Sequence, residues 1–182
     1  MDSGASCYLR YVEGDDSAFE ELVAMFAPGL ISFINGYVHC PATAEDLMED
    51  TFCELILHKN RNKNRFRGGS AFKTYLYSIA RNKAITCIRK NKRMTFLVDA
   101  EPVADMDLDD IVQRRDRNRR LWDALDKIRV EYSEALYLFY FDDMDYEQIA
   151  AVLKKNKGQV KNLLHRGKQS LREFLEHEGF EY

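Results

Sequence analysis

The segment 59–93 constrains the fold of this chain most, because it combines a one-signed charge with a helical apolar period. It holds twelve Lys and Arg residues and no Asp or Glu, although the whole chain has a net charge of −3. Phe72, Leu76 and Ile79 recur at i, i+4 and i+7, which predicts a helix over 71–85 with one buried stripe. Ser70 suits its N-cap, after a loop over 65–70. The other faces of this helix hold Lys73, Tyr75, Tyr77, Arg81 and Lys83.

Cations and aromatic rings together indicate a site for nucleic acid. Cations bind phosphates, and aromatic rings stack on unpaired bases, so the segment predicts contact with a single strand. The alternative is a solvated basic helix with a few tyrosines in the core.

The charge is sorted along the chain into two basic blocks. Residues 1–58 hold eleven acids and one base, and residues 94–153 hold fifteen acids and seven bases. A second basic block, 154–172, holds seven bases and no acid. The acids therefore avoid both basic blocks, which disfavours a metal-assisted enzyme acting on nucleic acid.

Helical periods also run through the N-terminal part. Asp16-Ser17 predicts a helix start, and Pro28 is expected to separate that helix from a second one over 29–39, which Pro41 ends. Thr43-Ala44-Glu45-Asp46 resembles a capping box at the start of a helix that runs to about Lys59. On that helix Asp46, Glu49 and Asp50 form one acidic face.

The C-terminal part predicts four further helices after an acidic, irregular linker over 94–113. The first covers 114–127 with Leu121, Trp122 and Leu125 inward, and the second covers 132–141. Asp145 is predicted to cap a helix over 146–153 with Gln148 at N3. After a turn over 154–156, Asn156 caps the last helix with Gln159 at N3. Its buried face is predicted as Val160, Leu163, Leu164, Gly167, Leu171 and Leu175, and its outer face as Lys157, Lys161, Asn162, His165, Arg166 and Lys168.

The last two helices and their short turn predict a helix-turn-helix. In that motif the second helix enters the major groove of duplex DNA. For Gln159 a strong alternative is that it only caps the helix. For His165 and Arg166 the alternative is that they contact phosphates without reading a base.

Composition narrows the remaining classes. With 46% hydrophobic residues, nine Gly and three Pro, the chain can bury real cores and is expected to be all-helical. No apolar run approaches the roughly 20 residues that cross a bilayer, and no signal peptide is recognised, so a cytoplasmic protein without stable membrane insertion is expected. The four cysteines are far apart and the histidines complete no ligand set, so neither a metal nor another cofactor is expected.

These segments resemble the extracytoplasmic-function (ECF) group of the sigma-70 family of RNA polymerase sigma factors. Ala44-Glu45-Asp46-Leu47 with Glu49, Asp50 and Phe52 resembles region 2.2 of that family. Residues 66–76 and 79–82 resemble regions 2.3 and 2.4, and residues 146–150 and 160–167 resemble region 4.2. Two features depart from the family: Ile128-Arg129 replaces a frequent Leu-Pro, and Lys154-Lys155-Asn156 replaces a frequent Gly-Ile/Val-Ser turn.

The resemblance implies a division of labour among three regions: 1–93 (region 2), the acidic linker 94–113, and 114–182 (region 4). Core RNA polymerase would bind Asp46, Glu49 and Asp50. The melted −10 strand of the promoter would bind Arg65, Arg67, Ser70, Lys73, Tyr75, Tyr77, Arg81, Asn82 and Lys83. The −35 duplex would bind Asn156, Lys157, Gln159, Lys161, Asn162, His165 and Arg166. An anti-sigma factor is a further expected partner, and no catalytic residue is expected.

Two other functions remain open from the residues alone. A helix-turn-helix repressor or activator that works without core polymerase would explain residues 118–176, but it leaves the basic helix and the acidic face unused. A helical adaptor that binds only protein partners would use the acidic face. Binding to core polymerase separates a sigma factor from both.

Overall fold

The computed structural model describes residues 3–61, 66–95, 124–125 and 127–177, and these ranges contain seven helices and no strand. The predicted all-helical fold class is therefore confirmed. The helices are α1 (Ser3–Glu13), α2 (Ser17–Val38), α3 (Pro41–Arg61), α4 (Phe72–Thr95), α5 (Val130–Tyr140), α6 (Tyr146–Leu153) and α7 (Lys157–His177).

The helices α1 to α4 form the N-terminal unit around an aromatic core. Tyr8 and Phe72 are fully buried, with ring centroids 5.1 Å apart, and Phe26 lies 5.8 Å from Phe72. Burial of each such large side chain stabilises the unit by about 1.5–3 kcal/mol. The prediction from sequence omitted α1, although Tyr8 and Tyr11 lie on one helical face and are buried.

Helix α2 is continuous, so the prediction that Pro28 separates two helices was wrong. A proline at this position leaves the carbonyl of Ala24 without its helical donor, but Ala24 and Pro28 are both exposed to solvent. Burial of Leu22, Phe26 and Leu30 on the opposite side outweighs that lost bond. Helix α2, with 22 residues, meets a length and composition criterion for a membrane-spanning helix, but Leu22, Leu30 and Ile34 are buried in the core of the N-terminal unit.

The start of α3 also differs from the prediction. Helix α2 ends at Val38, followed by His39 in the left-handed conformation, and α3 begins directly at Pro41. Proline suits a first helical position because its missing N–H has no partner there in any helix. Thr43 therefore lies within the first turn and is not the N-cap that the sequence predicted.

The helices α5 to α7 form the C-terminal unit, and here the predicted caps are confirmed. Asp145 accepts a hydrogen bond from the Gln148 backbone N–H at 2.8 Å, and Gln148 accepts one from Asp145 N–H at 2.9 Å. Lys154, in the left-handed conformation, closes α6. Gly167 brings α7 close to α5, since a Cβ there would lie 3.2 Å from Leu136.

The linker and its neighbours mostly lie outside the described residues. Of the predicted linker 94–113, Met94 and Thr95 belong to the end of α4, and the rest is outside the described ranges. Of the predicted helix 114–127, residues 124, 125 and 127 are helical, Ala124 and Leu125 are buried, and Leu121 and Trp122 lie outside the described ranges. The second predicted helix begins at Val130, two residues earlier than expected.

The two units pack against each other, which the sequence did not predict. Tyr137 of α5 lies 5.8 Å from Phe33 of α2 between ring centroids, and its hydroxyl donates to the carbonyl of Gly29 at 3.0 Å. Phe33 lies 5.1 Å from Tyr77 of α4. These rings join the two cores into one apolar cluster, so the face of α4 that turns toward the C-terminal unit is covered.

Candidate nucleic-acid interface

The predicted acidic face is exposed on α3. The side chains of Asp46, Glu49 and Asp50 all face solvent, while Phe52 and Leu55 turn into the core. Among the ion pairs of the described residues, none involves these three acids. The face therefore has uncompensated negative charge and is available to a basic partner.

The loop before α4 is anchored by one aromatic residue. Phe66 is buried and contacts Tyr8, Phe72 and Tyr75 at centroid distances of 6.0, 5.3 and 5.6 Å. Gly68 has a φ of +78°, which a residue with a side chain rarely adopts. Arg67 to Ser70 are consequently held at the surface and exposed. Arg65 lies outside the described residues.

Helix α4 begins at Phe72, so Ser70 is not its N-cap as predicted. The Ser70 hydroxyl donates instead to the carbonyl of Ala71 at 3.4 Å. The predicted apolar stripe is confirmed, because Phe72, Leu76 and Ile79 are all buried.

Tyr75 and Tyr77 were predicted to lie on the faces of α4 outside the apolar stripe, together with the cations, but both rings pack against the core. Tyr75 is half-buried, and its hydroxyl lies 2.6 Å from Nδ1 of His58 on α3. Burial raises the pKa of the Tyr75 hydroxyl. Tyr77 is only 1% exposed and lies between the two units. In this structure the two rings therefore fit the alternative interpretation, in which the tyrosines of α4 pack in the core.

Lys73 and Tyr77 both bind Asp142, which follows α5. The Lys73 ammonium lies 2.8 Å from Oδ1 of Asp142 and donates to its backbone carbonyl at 2.7 Å. The Tyr77 hydroxyl donates to the same Oδ1 at 2.8 Å. Burial raises the pKa of the Asp142 carboxyl, and Lys73 opposes that rise.

Three further residues of α4 that were predicted to bind the −10 strand, Arg81, Asn82 and Lys83, are also paired. Arg81 lies 3.3 Å from Glu134 of α5, whose side chain is 5% exposed, and burial raises the pKa of Glu134 despite this cation. Asn82 accepts from Lys154 at 3.0 Å, and Lys83 lies 2.9 Å from Glu54. The sequence analysis singled out neither Glu134 nor Asp142 as functional, and no local signal could have done so, since each lies more than fifty positions from its partner.

The outer face of α7 is different, because most of its polar residues are open. Lys161, Asn162, His165 and Arg166 are exposed as predicted, while Val160, Leu164 and Gly167 are buried. Lys157 forms an exposed ion pair with Glu147 of α6. The open residues lie on two adjacent turns of one helix and could contact base edges and phosphates together.

Asn156 and Gln159 form a reciprocal cap at the start of α7. Asn156 accepts from the Gln159 backbone N–H at 2.8 Å, and Gln159 Oε1 accepts from the Asn156 N–H at 2.9 Å. The capping role that was the alternative prediction for Gln159 is thus present. It uses the amide oxygen, so the amide nitrogen remains as a donor for a partner.

Comparisons with known proteins agree with both parts of this arrangement. Residues 22–94 match the family Sigma-70 region 2, and residues 118–171 match Sigma-70, region 4. The chain is 30% identical to the RNA polymerase sigma factor CarQ of Myxococcus xanthus, over 91% of this chain and 94% of CarQ. It is 26% identical to the ECF RNA polymerase sigma factor SigX of Bacillus subtilis, over 88% of this chain and 85% of SigX.

Two solved structures share the fold. The sigma factor RpoE of Bartonella quintana, crystallised with the anti-sigma factor NepR, has a TM-score of 0.74 and 23% identity, covering 87% of this chain and 96% of RpoE. CnrH, in complex with the cytosolic domain of CnrY, has a TM-score of 0.71 and 19% identity, covering 98% of this chain and all of CnrH.

Proposed function

The chain belongs to the ECF group of the sigma-70 family, so it directs RNA polymerase to promoters, and we propose how its surfaces divide that work. One observation carries the proposal: a basic helix after an exposed loop and a helix-turn-helix with an open basic face occur on one chain. A regulator that works without polymerase needs only the second of these, and it is not favoured. No catalytic step of its own is assigned to the chain, which would act where transcription occurs, in the cytoplasm.

The acidic face of α3 is the docking surface for core polymerase. Its support is the exposure of Asp46, Glu49 and Asp50 without ion-pair partners among the described residues. Like-signed side chains on one helix face repel each other slightly, and a basic partner relieves that repulsion.

The docking proposal is tested with the variant Glu49→Lys/Asp50→Lys in a pulldown of core polymerase. Binding should be lost, because opposed charge becomes like charge, while the helical circular dichroism signal stays unchanged. The matched control is Glu13→Lys/Glu20→Lys, which changes the same charge at exposed positions outside α3. Equal binding by both variants would remove this assignment.

The loop before α4 and the polar face of α4 bind the melted −10 strand. Arg67 and Ser70 are exposed for this purpose already. Lys73, Tyr77, Arg81 and Asn82 contact the C-terminal unit and become available only after that unit moves away, whereas Tyr75 and Lys83 contact His58 and Glu54 of α3. The residues proposed for this strand are Arg65, Arg67, Ser70, Lys73, Tyr75, Tyr77, Arg81, Asn82 and Lys83.

Helix α7 reads the −35 duplex from the major groove. Lys161 is suited to phosphate, since an ammonium is a point charge, and Asn162 and Arg166 to base edges, since both side chains form paired hydrogen bonds. Asn156, Lys157, Gln159 and His165 complete the proposed contact surface.

Melting of promoter DNA tests the −10 assignment. Unpairing costs a few kcal/mol per base, which a small chain with acidic flanks cannot supply alone. With core polymerase, the protein should make −10 thymines reactive to permanganate, and Arg65→Ala/Arg67→Ala should reduce that reactivity more than it reduces polymerase binding. The control Arg89→Ala/Lys90→Ala removes two exposed cations further along α4. Tight binding of duplex by the protein alone, without melting by the holoenzyme, would favour a conventional regulator.

A protein partner that holds the chain inactive is also proposed. The solved structures of RpoE and CnrH contain NepR and the cytosolic domain of CnrY, respectively. An anti-sigma factor of this kind would bind the present chain, and co-purification from the native host tests the proposal.

A further inference from the structure

Two residues of α4 that are proposed for the −10 strand are held by side chains of α3. The Tyr75 hydroxyl lies 2.6 Å from Nδ1 of His58, and the Lys83 ammonium lies 2.9 Å from Oε2 of Glu54. The other carboxylate oxygen of Glu54 lies 3.6 Å from Nε2 of His58. These contacts join α3 and α4 within the N-terminal unit, so they do not depend on the position of the C-terminal unit.

Glu54 determines which nitrogen of a neutral His58 carries the proton. A carboxylate beside Nε2 favours the proton on that nitrogen, which leaves Nδ1 as a hydrogen-bond acceptor. The Tyr75 hydroxyl then donates to Nδ1, and each ring nitrogen faces a suitable group. Burial raises the pKa of this hydroxyl, so it keeps the proton that it donates. The His58 side chain is only 14% exposed, so water competes weakly for the bond.

The hydrogen bond adds a polar anchor to a ring that is otherwise held by apolar contacts. The Tyr75 ring lies 5.6 Å from Phe66 and 6.1 Å from Phe72 between centroids. Phe66 precedes Arg67, so the ring lies beside the loop that is proposed to bind the same strand. A ring that must stack on a base loses side-chain freedom on binding, and a ring that is already fixed loses less.

We propose that His58 is a positioning residue for the −10 strand, because its Nδ1 fixes the Tyr75 ring in the orientation that stacks on an unpaired base. Glu54 sets the tautomer that this hydrogen bond needs, and His58 itself does not contact the strand. This inference rests on the proposed function of Tyr75. It extends the −10 site from α4 to the C-terminal part of α3.

A matched pair of variants at position 58 tests this role in the holoenzyme. His58→Asn keeps an acceptor oxygen near the position of Nδ1, whereas His58→Leu has the same branched shape without an acceptor. The probe is a single-stranded −10 oligonucleotide from a promoter that the holoenzyme melts, and it carries the fluorescent adenine analogue aminopurine at each position in turn. Stacking quenches this fluorophore, so the quench reports the ring contact separately from the affinity.

The two variants should differ in both measurements. His58→Leu should weaken binding of the oligonucleotide about fivefold, because the ring is no longer fixed in advance, and it should reduce the quench at the stacked position. His58→Asn should retain nearly the wild-type affinity and quench. A contact that only holds α3 to α4 would instead change urea unfolding and leave the quench as it is, which would overturn the proposal.

A double-mutant cycle connects the effect to the tyrosine hydroxyl. Tyr75→Phe keeps the ring and removes the hydroxyl, so it should reproduce His58→Leu. The combination of both changes should bind no more weakly than either one, because each removes the same hydrogen bond. Additive losses would show that His58 acts by another route and would reject the proposal. A pulldown of core polymerase should give equal binding for all of these variants.

The variant Tyr75→Ala separates this inference from the proposed function. If it weakens binding and reduces the quench while His58→Leu does neither, the role of His58 is rejected and Tyr75 remains a strand contact. The same holds if His58→Asn is as weak as His58→Leu. If Tyr75→Ala leaves affinity and quench unchanged, Tyr75 does not contact the strand, and both the inference and that part of the proposed function are wrong.

Discussion

Helices α4 and α7 carry similar polar side chains, but the structure places them in opposite circumstances. On α4, Lys73 and Arg81 are paired with buried acids of the other unit. On α7, Lys161 and Arg166 are exposed. A basic helical face is therefore not always open to a partner, because acidic side chains elsewhere in the same chain can bind its cations.

The largest expected difference between the two helices concerns stability. Arg81→Ala leaves Glu134 buried without its cation, which should lower the free energy of unfolding by up to about 3 kcal/mol. Arg166→Ala removes an exposed cation and should change that free energy by less than about 0.5 kcal/mol. Urea unfolding of both variants measures this difference. Equal losses of unfolding free energy would show that pairing with Glu134 makes no difference to the contribution of Arg81.

The next effect concerns base preference, which the open face of α7 should control directly. Asn162→Ala should relax preference at one −35 position by about 1–3 kcal/mol, the value of one paired contact with a base. Binding of holoenzyme to a library of −35 sequences measures it. If neither Asn162→Ala nor Arg166→Ala changed the base preference, α7 would contact phosphates only.

A smaller effect is expected from a phosphate contact on the same face. Lys161→Ala should weaken binding to all promoters alike and reduce the slope of log affinity against log salt by about 1. A titration of holoenzyme binding over a range of salt concentrations measures this slope. If the loss depended on promoter sequence, Lys161 would contact a base.

The smallest expected effect is a pH dependence of the packing between the two units. It should arise from the acids that pair with α4, and α7 should show no counterpart. Burial raises the pKa of Asp142 and Glu134 in the packed state, so that state binds protons more readily than the open one. Their contribution to packing is full below the ordinary carboxyl pKa and is lost as the pH rises through the raised values. The groups that act on these two carboxyls are Lys73, Tyr77 and Asp143 for Asp142, and Arg81, Tyr37 and Glu131 for Glu134.

Small-angle X-ray scattering at mildly acidic and neutral pH measures that dependence. The chain should become more compact as the pH falls, although simple loss of an ion pair would suggest the reverse. The variant Asp142→Asn/Glu134→Gln should abolish the trend, because it removes both titrating groups at nearly constant shape. A trend that persists in this variant would locate the sensitivity elsewhere.

Many local features of this fold were predictable from the sequence, although the predicted N-caps Thr43 and Ser70 were wrong, and long-range features were not predictable. The caps at Asp145 and Asn156 depend on residues three positions away, and both are present. The stripe Phe72, Leu76 and Ile79 depends on helical period alone, and it is buried. Such signals specify an element wherever it lies in the molecule.

The larger failures concern packing between distant parts of the chain. The continuity of α2 through Pro28 depends on packing against other helices, which outweighs a local preference. The hydroxyl of the buried Tyr77 donates to Asp142, 65 positions away, and no pattern near either residue indicates the other. The candidate site was thus predictable in its residue types but not in which of those residues the folded chain leaves open.

The absence of a side chain at Gly29 has a genetic consequence. A Cβ there would lie 2.5 Å from the Tyr77 hydroxyl and 3.6 Å from Asp142. Alanine would favour the helical backbone of α2 by about 0.5–1 kcal/mol, yet it would push the tyrosine away from its acceptor. In a saturation library at position 29, every residue with a side chain should therefore disturb the contact between Tyr77 and Asp142, and glycine alone should preserve it.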